Sequence, residues 1–151
     1  MISERLQRFL NDHPVKFRTE LHPSTADAMR TAEVTHVPGR EFAKSVIFKT
    51  HGKVGMAVLP ATDHVHLLEL GRALGSDDIS LATEDELRNA FPDCDVGAMP
   101  PFGNLYGMET FVSEHLREDD TITFNAGSHD EVMQMTYQDY ERLVRPHVVH
   151  F

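Results

Sequence analysis

The sequence is poor in several residue types, and each shortage limits what the protein can be. It contains one cysteine, Cys94, so no intrachain disulfide can form and a cysteine-ligated metal site is not expected. Asp93 and Asp95 flank this thiol and raise its pKa, which argues against a nucleophilic thiolate. Basic residues are also few, since 14 lysines and arginines face 24 aspartates and glutamates for a formal net charge of −10. Extended binding along a phosphate backbone is therefore not expected, and only a local nucleic-acid contact is compatible with this charge.

The sequence also has no long apolar run and no sign of a targeting segment. Its apolar stretches, such as residues 54–59, are far shorter than the ~20 residues of a membrane-spanning helix. It does not open with a basic segment followed by an apolar one, as a secretory signal does. We therefore expect a cytoplasmic protein without membrane contact, folded as one domain over residues 1–151.

Hydrophobic periodicity predicts helices and strands that are interspersed along the chain. The helical patterns, with their capping residues, fall at residues 3–10, 24–34, 67–74, 83–91 and 137–144. The strand patterns fall at residues 15–19, 43–50, 54–59, 79–81, 110–112, 121–124 and 132–136. The two runs separated by His51-Gly52-Lys53 predict a β-hairpin, and hairpins exclude a purely parallel sheet. The predicted fold class is therefore mixed α/β or α+β.

Two kinds of bound group are not expected. No glycine-rich phosphate-binding fingerprint precedes a predicted helix, so we expect no nucleotide cofactor. The pairs His64 with His66 and His147 with His150 lack a third ligand at a suitable spacing, so we expect no metal site.

The segment Gly97-Ala98-Met99-Pro100-Pro101-Phe102-Gly103 is the most distinctive stretch of the chain. Its prolines fix φ and remove N–H donors, whereas its glycines permit turns that a Cβ atom would obstruct. We interpret it as the shaped rim of a site. Met99 and Phe102 are either walls of a pocket or buried core residues.

Two other segments supply candidates for the chemistry at this rim. Lys44 begins the strand predicted at residues 43–50, and it is either a functional cation or a solvated lysine at a strand end. His129 lies in the turn predicted at residues 125–130. Its imidazole either transfers protons near neutral pH or hydrogen-bonds the turn.

Four motifs occur in consistent order along the chain: Ala43-Lys44-Ser45-Val46-Ile47-Phe48, the hairpin end Leu59-Pro60-Ala61, the 97–103 loop and Ala126-Gly127-Ser128-His129. Together they resemble the motifs of the YbaK and prolyl-tRNA synthetase-associated editing-domain family. The likeness extends over about residues 15 to 145. It implies a mixed, barrel-like sheet surrounded by helices, and an enzyme that hydrolyses the ester joining a wrong amino acid to tRNA.

The resemblance also implies a set of site residues. Lys44 corresponds to the hallmark active-site lysine of the family and is the expected catalytic residue. Ser45 stands where some relatives have asparagine, and Asp130 stands where some have proline. The expected substrate-binding residues are Ser45, Gly97, Met99, Pro100, Pro101, Phe102, Gly127, Ser128 and His129.

The chemistry of an aminoacyl ester sets what these residues have to do. The ester is already activated, so its hydrolysis needs an oriented attacking oxygen and donors for the developing oxyanion. Backbone N–H groups at Gly127 and Ser128, or near Gly97, are candidate donors. Lys44 is a candidate partner for the phosphate of the terminal adenosine, or it orders the chain around the ester carbonyl.

The primary hypothesis is a free-standing, trans-acting aminoacyl-tRNA deacylase, a carboxylic ester hydrolase that removes a mischarged small amino acid. Its expected partner is the terminal adenosine end of an aminoacyl-tRNA, with an aminoacyl-tRNA synthetase as a further candidate. The alternatives are a non-catalytic module that binds a small amino acid, motivated by the charge of −10, and a domain that docks on a synthetase. The positions of the basic residues in the fold distinguish these alternatives. Clustering around the pocket would favour the enzyme, and dispersal would favour the binding module. The residues concerned are Lys16, Arg18, Arg30, Arg40, Lys44, Lys49 and Lys53.

Overall fold

The computed structural model describes residues 1–151, in which a mixed sheet of eight strands is accompanied by six α-helices. The helices are α1 (Glu4–Asp12), α2 (Ala28–Val34), α3 (Leu67–Leu74), α4 (Glu84–Ala90), α5 (Glu114–Arg117) and α6 (Tyr137–Val144). The strands are β1 (Arg18–Leu21), β2 (Phe42–Thr50), β3 (Lys53–Pro60), β4 (Ser80–Leu81), β5 (Glu109–Ser113), β6 (Thr121–Ser128), β7 (Glu131–Thr136) and β8 (His147–Val149). The predicted mixed α/β fold is confirmed. No helix combines the length and the apolar character that a membrane crossing requires.

The β2–β3 hairpin is the centre of the sheet. β2 pairs antiparallel with β3 along residues 43–50. The turn uses His51 and Gly52 at φ of 48° and 76°, a pair of left-handed conformations that matches the twist of the flanking strands. The hairpin is confirmed where the sequence predicts it, because its strands and its turn are both specified locally.

The other strands extend the sheet on both sides of this hairpin. The hydrogen-bonded order is β1-β7-β6-β2-β3-β5-β8, and β4 pairs with the far end of β2. β6 runs parallel to β2 over only two pairs, Phe42 with Thr123 and Ala43 with Phe124. This short ladder ends at the point where the candidate site begins.

The two faces of β2 belong to different clusters of buried side chains. Ala43 points into the main core, a cluster of 20 buried residues to which α1 and α6 contribute. Phe42 points to the opposite face and packs with Ala32 of α2. Because side chains alternate along a strand, Lys44 lies on the α2 face and Ser45 lies on the main-core face.

The second helix begins later than the sequence pattern predicts. The prediction starts the helix at Ser24, but α2 begins after Asp27, whose carboxylate accepts a 2.8 Å hydrogen bond from the Arg30 N–H. The N–H of Thr25 is instead bonded to the His129 carbonyl at 3.2 Å. This bond ties the segment before α2 to the β6–β7 turn, and no local pattern reveals it.

The predicted turn at residues 125–130 is mostly strand. β6 continues to Ser128, and only the next two residues form the turn to β7. The pairing with β7 shifts between Asn125 and Ser128, and Gly127 within this bulge has a φ of 126°. The prediction was wrong because glycine in a strand marks a bulge as readily as a turn.

Three short elements also differ from the prediction. β1 occupies Arg18–Leu21 rather than residues 15–19, because its position is set by pairing with β7 rather than by its own alternation. The sequence pattern does not predict α5 or β8, because segments of four and three residues carry no measurable periodicity.

Candidate active site

Lys44 lies near the start of β2, half-buried on the α2 face. Its Nζ donates its one hydrogen bond, at 3.4 Å, to the carbonyl of Ala61 just past β3. Burial lowers the pKa of the ammonium, and the nearby carboxylates of Asp63 and Asp27 oppose this shift without cancelling it. The ammonium therefore has a single weak hydrogen bond, which leaves it available to an oxygen atom of a ligand.

Ser45 follows Lys44 but points to the main core. It lies opposite Val58 in the β2–β3 ladder, and its Oγ is buried without a hydrogen-bond partner. Such a hydroxyl is uncommon because its loss of water is not compensated. The two adjacent predicted residues therefore face opposite sides of the sheet.

The 97–103 loop is mostly interior. Gly97 is exposed, but residues 98–103 are all buried. The Gly97 N–H lies 3.2 Å from the thioether sulfur of Met99 and donates to it, so this side chain turns back under its own loop. The loop therefore presents its first residue to solvent and its remaining residues to the core.

Phe102 and the two prolines hold the loop in place. Phe102 has no exposed area and meets the Tyr140 ring edge-on, with 5.5 Å between the centroids. The Tyr140 hydroxyl donates a 2.7 Å hydrogen bond to the Pro101 carbonyl, and the Phe102 N–H donates one of 2.8 Å to the Pro100 carbonyl. Of the two interpretations of Phe102, these contacts favour the core residue.

His129 closes onto this loop from the β6–β7 turn. Its Nε2 lies 2.7 Å from the Val96 carbonyl oxygen. Because a carbonyl only accepts, Nε2 carries the ring proton and donates a hydrogen bond to it. Asp95 strengthens the contact, because its carboxylate accepts a 3.3 Å hydrogen bond from the His129 N–H and its own N–H donates to the Gly127 carbonyl at 2.8 Å. The structure thus brings the Gly97 end of the loop together with His129, whose Nδ1 has no protein partner.

Gly127 and Ser128 lie beside the first turn of α1. A Cβ atom on Gly127 would be 2.7 Å from the Ser3 nitrogen, and the Ser3 N–H donates a 2.7 Å hydrogen bond to the Ala126 carbonyl. The Ser128 hydroxyl donates to the Asp130 carboxylate at 2.6 Å. The chain start therefore covers one side of Gly127, and Ser128 is the more accessible of the two.

No hydrogen bond or ion pair joins Lys44 to the loop or the turn, since its one hydrogen bond goes to the Ala61 carbonyl. The segment before α2 connects the two groups. Thr25 bonds to the His129 carbonyl, and Asp27 is close enough to influence the charge of Lys44. The predicted residues therefore form two groups, Lys44 on one side of this segment and the loop with the turn on the other.

A polar cluster that the sequence analysis missed anchors the same loop. The Asp93 carboxylate accepts hydrogen bonds from the Ser3 hydroxyl at 2.5 Å and the Tyr106 hydroxyl at 3.0 Å. Burial, assisted by the charge of Asp93, raises the pKa of the Cys94 thiol to about 11, which confirms the predicted direction. Because Ser3 also caps α1, the cluster joins the start of this helix to the chain that leads into Gly97. No sequence spacing could have linked residues so far apart.

Two of the basic residues that would indicate RNA binding are paired with carboxylates. Lys49 pairs with Glu86 at 3.0 Å near the far end of β2, and Arg30 pairs with Glu33 at 3.3 Å on α2. Each of these charges is therefore already matched by a carboxylate.

The surface beside Lys44 is acidic instead. Asp63 belongs to a cavity of about 490 Å³ lined by Arg40, Glu41, Pro60, Thr62, Asp63, His115, Glu118, Asp119 and Asp120. His115 lies 3.0 Å from the Asp63 carboxylate, which raises the pKa of the imidazole. Burial and the charge of Glu41 raise the pKa of Asp119 to about 6. Another cavity of about 420 Å³, between β1 and the end of α2, contains none of the predicted site residues.

Solved structures with this architecture superpose on nearly the whole chain. A candidate trans-editing enzyme for prolyl tRNA synthetase matches with a TM-score of 0.86 and 18% identity, over 98% of this chain and 94% of that one. A protein named only as hypothetical matches with a TM-score of 0.86 and 16% identity, over 97% and 98% of the two chains. A protein from work on computational grafting of linear epitopes onto scaffolds matches with a TM-score of 0.86 and 17% identity, over 98% and 95%. At these identities the likeness shows the fold, which is that of a small mixed α/β domain.

The family is shown by the sequence itself. A family model of the aminoacyl-tRNA editing domain matches residues 22–143, a range that includes Lys44, the 97–103 loop and His129. The chain therefore belongs to the aminoacyl-tRNA editing domain family, and the resemblance seen in the four motifs is confirmed. A sequence comparison with curated proteins finds no match.

Proposed function

We propose that the protein is an aminoacyl-tRNA deacylase that acts in trans on tRNA carrying a wrong small amino acid. The observation that carries this proposal is the membership of residues 22–143 in the editing-domain family. The half-buried Lys44 ammonium, held only by a 3.4 Å contact with a carbonyl, supplies a cation that a ligand can engage. The proposed partner is the terminal adenosine end of an aminoacyl-tRNA, and one structural neighbour is described as a candidate trans-editing enzyme for prolyl tRNA synthetase.

In the proposed reaction, water attacks the ester carbonyl carbon and the bond to the ribose oxygen breaks. The water oxygen becomes part of the free amino acid, and a proton from water ends on the ribose oxygen. Lys44 is assigned to the carbonyl oxygen or the neighbouring phosphate, where a positive charge stabilises the developing negative charge. His129, whose ring is fixed by its bond to Val96, is assigned to hydrogen-bond the substrate through Nδ1.

The other predicted residues divide by their accessibility. Gly97 and Ser128 can meet the ligand with their backbone, since neither is buried. The remaining residues are assigned to shape the site from within. Met99, Pro100, Pro101, Phe102 and Gly127 are buried, and Ser45 is half-buried with a buried hydroxyl.

Deacylation of tRNAs charged with alanine, serine, threonine, cysteine and proline tests the proposal. We expect hydrolysis of at least one of them, and we expect Lys44→Ala to lower kcat/KM by at least about 100-fold because it removes the charge opposite the oxyanion. Lys49→Ala is the matched control, since it removes the same charge from the far end of the same strand and should change kcat/KM by less than about threefold. Both variants must keep the melting profile of the wild type. A folded wild type that hydrolyses no tRNA, in an assay where an established editing enzyme is active, would rule the proposal out.

A non-catalytic module that binds a small amino acid is the second candidate. The acidic surroundings of Lys44 and the pairing of Arg30 and Lys49 with carboxylates favour it, because a tRNA-binding surface is normally positive. This candidate predicts that one free amino acid raises the melting temperature while no charged tRNA is hydrolysed. Hydrolysis that depends on Lys44 would exclude it.

A further inference from the structure

Asn125 has a buried side-chain amide whose oxygen has no hydrogen-bond partner in the chain. Its side chain is 8% exposed within β6, and its Oδ1 is buried without a hydrogen-bond partner. Buried amides are almost always hydrogen-bonded, because an unpaired one keeps the full cost of desolvation. An apolar residue at this position would avoid that cost, so the amide points to a partner from outside the chain.

Asn125 is also the neighbour of Lys44 across the end of the β2–β6 ladder. The last pair of this ladder joins Ala43 to Phe124, and the next residues on the two strands are Lys44 and Asn125. Ala43 and Phe124 both lie in the main core, so alternation places Lys44 and Asn125 on the opposite, α2-covered face. The pairing of Asn125 with Val132, which packs with α2, agrees with this side.

The two strands separate at this point. β2 has no further pair with β6, and the pairing of β6 with β7 shifts in the bulge between Asn125 and Ser128. A ladder that ends beside a bulge leaves backbone unpaired, so a ligand can approach without breaking the sheet. Lys44 and Asn125 therefore lie on neighbouring strands where the ladder ends, with a hydrogen-bond donor on one strand and an acceptor on the other.

We propose that Asn125 binds the aminoacyl group of the substrate by accepting a hydrogen bond from its α-amino group. The inference rests on the proposed deacylase function. The ester carbonyl and the phosphates are acceptors, which suit Lys44, whereas the α-amino group is a donor and needs an acceptor such as Oδ1. The carboxylates of Asp27 and Asp63 act on Lys44 and add a negative potential that favours a protonated amine.

Acetylation of the α-amino group tests this assignment from the substrate side. The probe is the tRNA that the wild type hydrolyses fastest, prepared with a free and with an N-acetylated amino acid. Acetylation removes the charge and crowds the acceptor, so we expect kcat/KM of the wild type to fall at least about tenfold. Equal hydrolysis of the two substrates by the wild type would overturn the proposal without any variant.

Substitution of Asn125 completes the test. Asn125→Leu keeps the approximate volume but removes the acceptor, and we expect it to lower kcat/KM about tenfold for the free amine with little further loss for the acetylated substrate. Asn125→Asp keeps an acceptor and should retain kcat/KM within about threefold. Gln134→Leu is the matched control, since it removes an amide from the next strand that is already bonded to Thr123 at 3.1 Å.

The variants also separate a binding role from a structural one. Because Oδ1 has no partner in the protein, Asn125→Leu should melt no lower than the wild type, whereas a structural amide would lower the melting temperature when removed. Equal losses on both substrates would assign Asn125 to the ribose hydroxyl or to packing and overturn the proposal. If Asn125→Leu does not fold, the acetylation result and Asn125→Asp still decide. If the wild type hydrolyses no charged tRNA, both the deacylase function and this inference are overturned. If the wild type is active but hydrolyses the acetylated and free substrates equally, only this inference is overturned.

Discussion

The backbone nitrogen of Ser3 lies 2.7 Å from the position that a Cβ atom on Gly127 would occupy. Gly127 also has a φ of 126°, which residues with a side chain rarely adopt. The contact between the start of α1 and the β6 bulge therefore requires glycine for two reasons, backbone conformation and space. It couples the first helix to the turn that carries His129.

We expect Gly127→Ala to destabilise the protein strongly. The backbone conformation alone costs about 1–3 kcal/mol, and the overlap with Ser3 adds to it by displacing α1. Urea unfolding measures the loss. Gly107→Ala is the control, because Gly107 has a φ of 69° but no atom within 4 Å of an added Cβ, so only about 1 kcal/mol should be lost. Equal losses in the two variants would show that the Ser3 contact contributes nothing.

Elements whose determinants lie within a few residues were predictable from the sequence. Thr83 and Glu86 form a capping box at the start of α4, and Gly75 ends α3 in a left-handed conformation. The β2–β3 hairpin belongs to the same class. These features depend on residues that are close together in the sequence, so a local pattern is enough to predict them.

The assembly of the site was predictable only in part. The family motifs pointed to Lys44 and His129, but the bond from the Thr25 N–H to the His129 carbonyl joins residues more than 100 positions apart. Asn125 was placed in a turn, although a polar residue between buried apolar neighbours on a strand is a signal that could have identified it. Strand register and burial determine whether a residue such as Asn125 lies on a buried face, and both depend on pairing between distant parts of the chain.

We expect Asp119→Asn to stabilise the protein at pH 7.5 and to have no such effect below pH 3.8. Burial and Glu41 raise the pKa of Asp119 from 3.8 to about 6, so the fold favours the protonated carboxyl. The stability that this protonated form provides is present in full below the unfolded pKa and is lost as the pH rises through the folded pKa. Asparagine mimics the protonated form at every pH.

Thermal melts of the variant and the wild type between pH 3.5 and pH 8 measure this difference, which should grow mainly between about pH 4 and pH 6. Asp77→Asn is the control, because it removes the same charge from an exposed loop. A difference that does not depend on pH would contradict the role of Asp119.

The charge beside Lys44 supplies the last prediction. Asp63 opposes the burial that lowers the pKa of Lys44, and it also lies 3.0 Å from the His115 imidazole. Its carboxylate therefore weakens the positive potential that a phosphate would meet beside Lys44. If the protein binds the acceptor end of tRNA, Asp63→Asn should lower KM by about two- to fivefold, since removal of a like charge near the ligand favours association. The gain should shrink as salt is raised, because the interaction is screened. Asp85→Asn on α4 is the control, because it changes the net charge equally but at an exposed helix. An equal fall in KM in that variant would assign the gain to net charge. A higher KM in Asp63→Asn would mean that this carboxylate positions Lys44 rather than opposing the substrate.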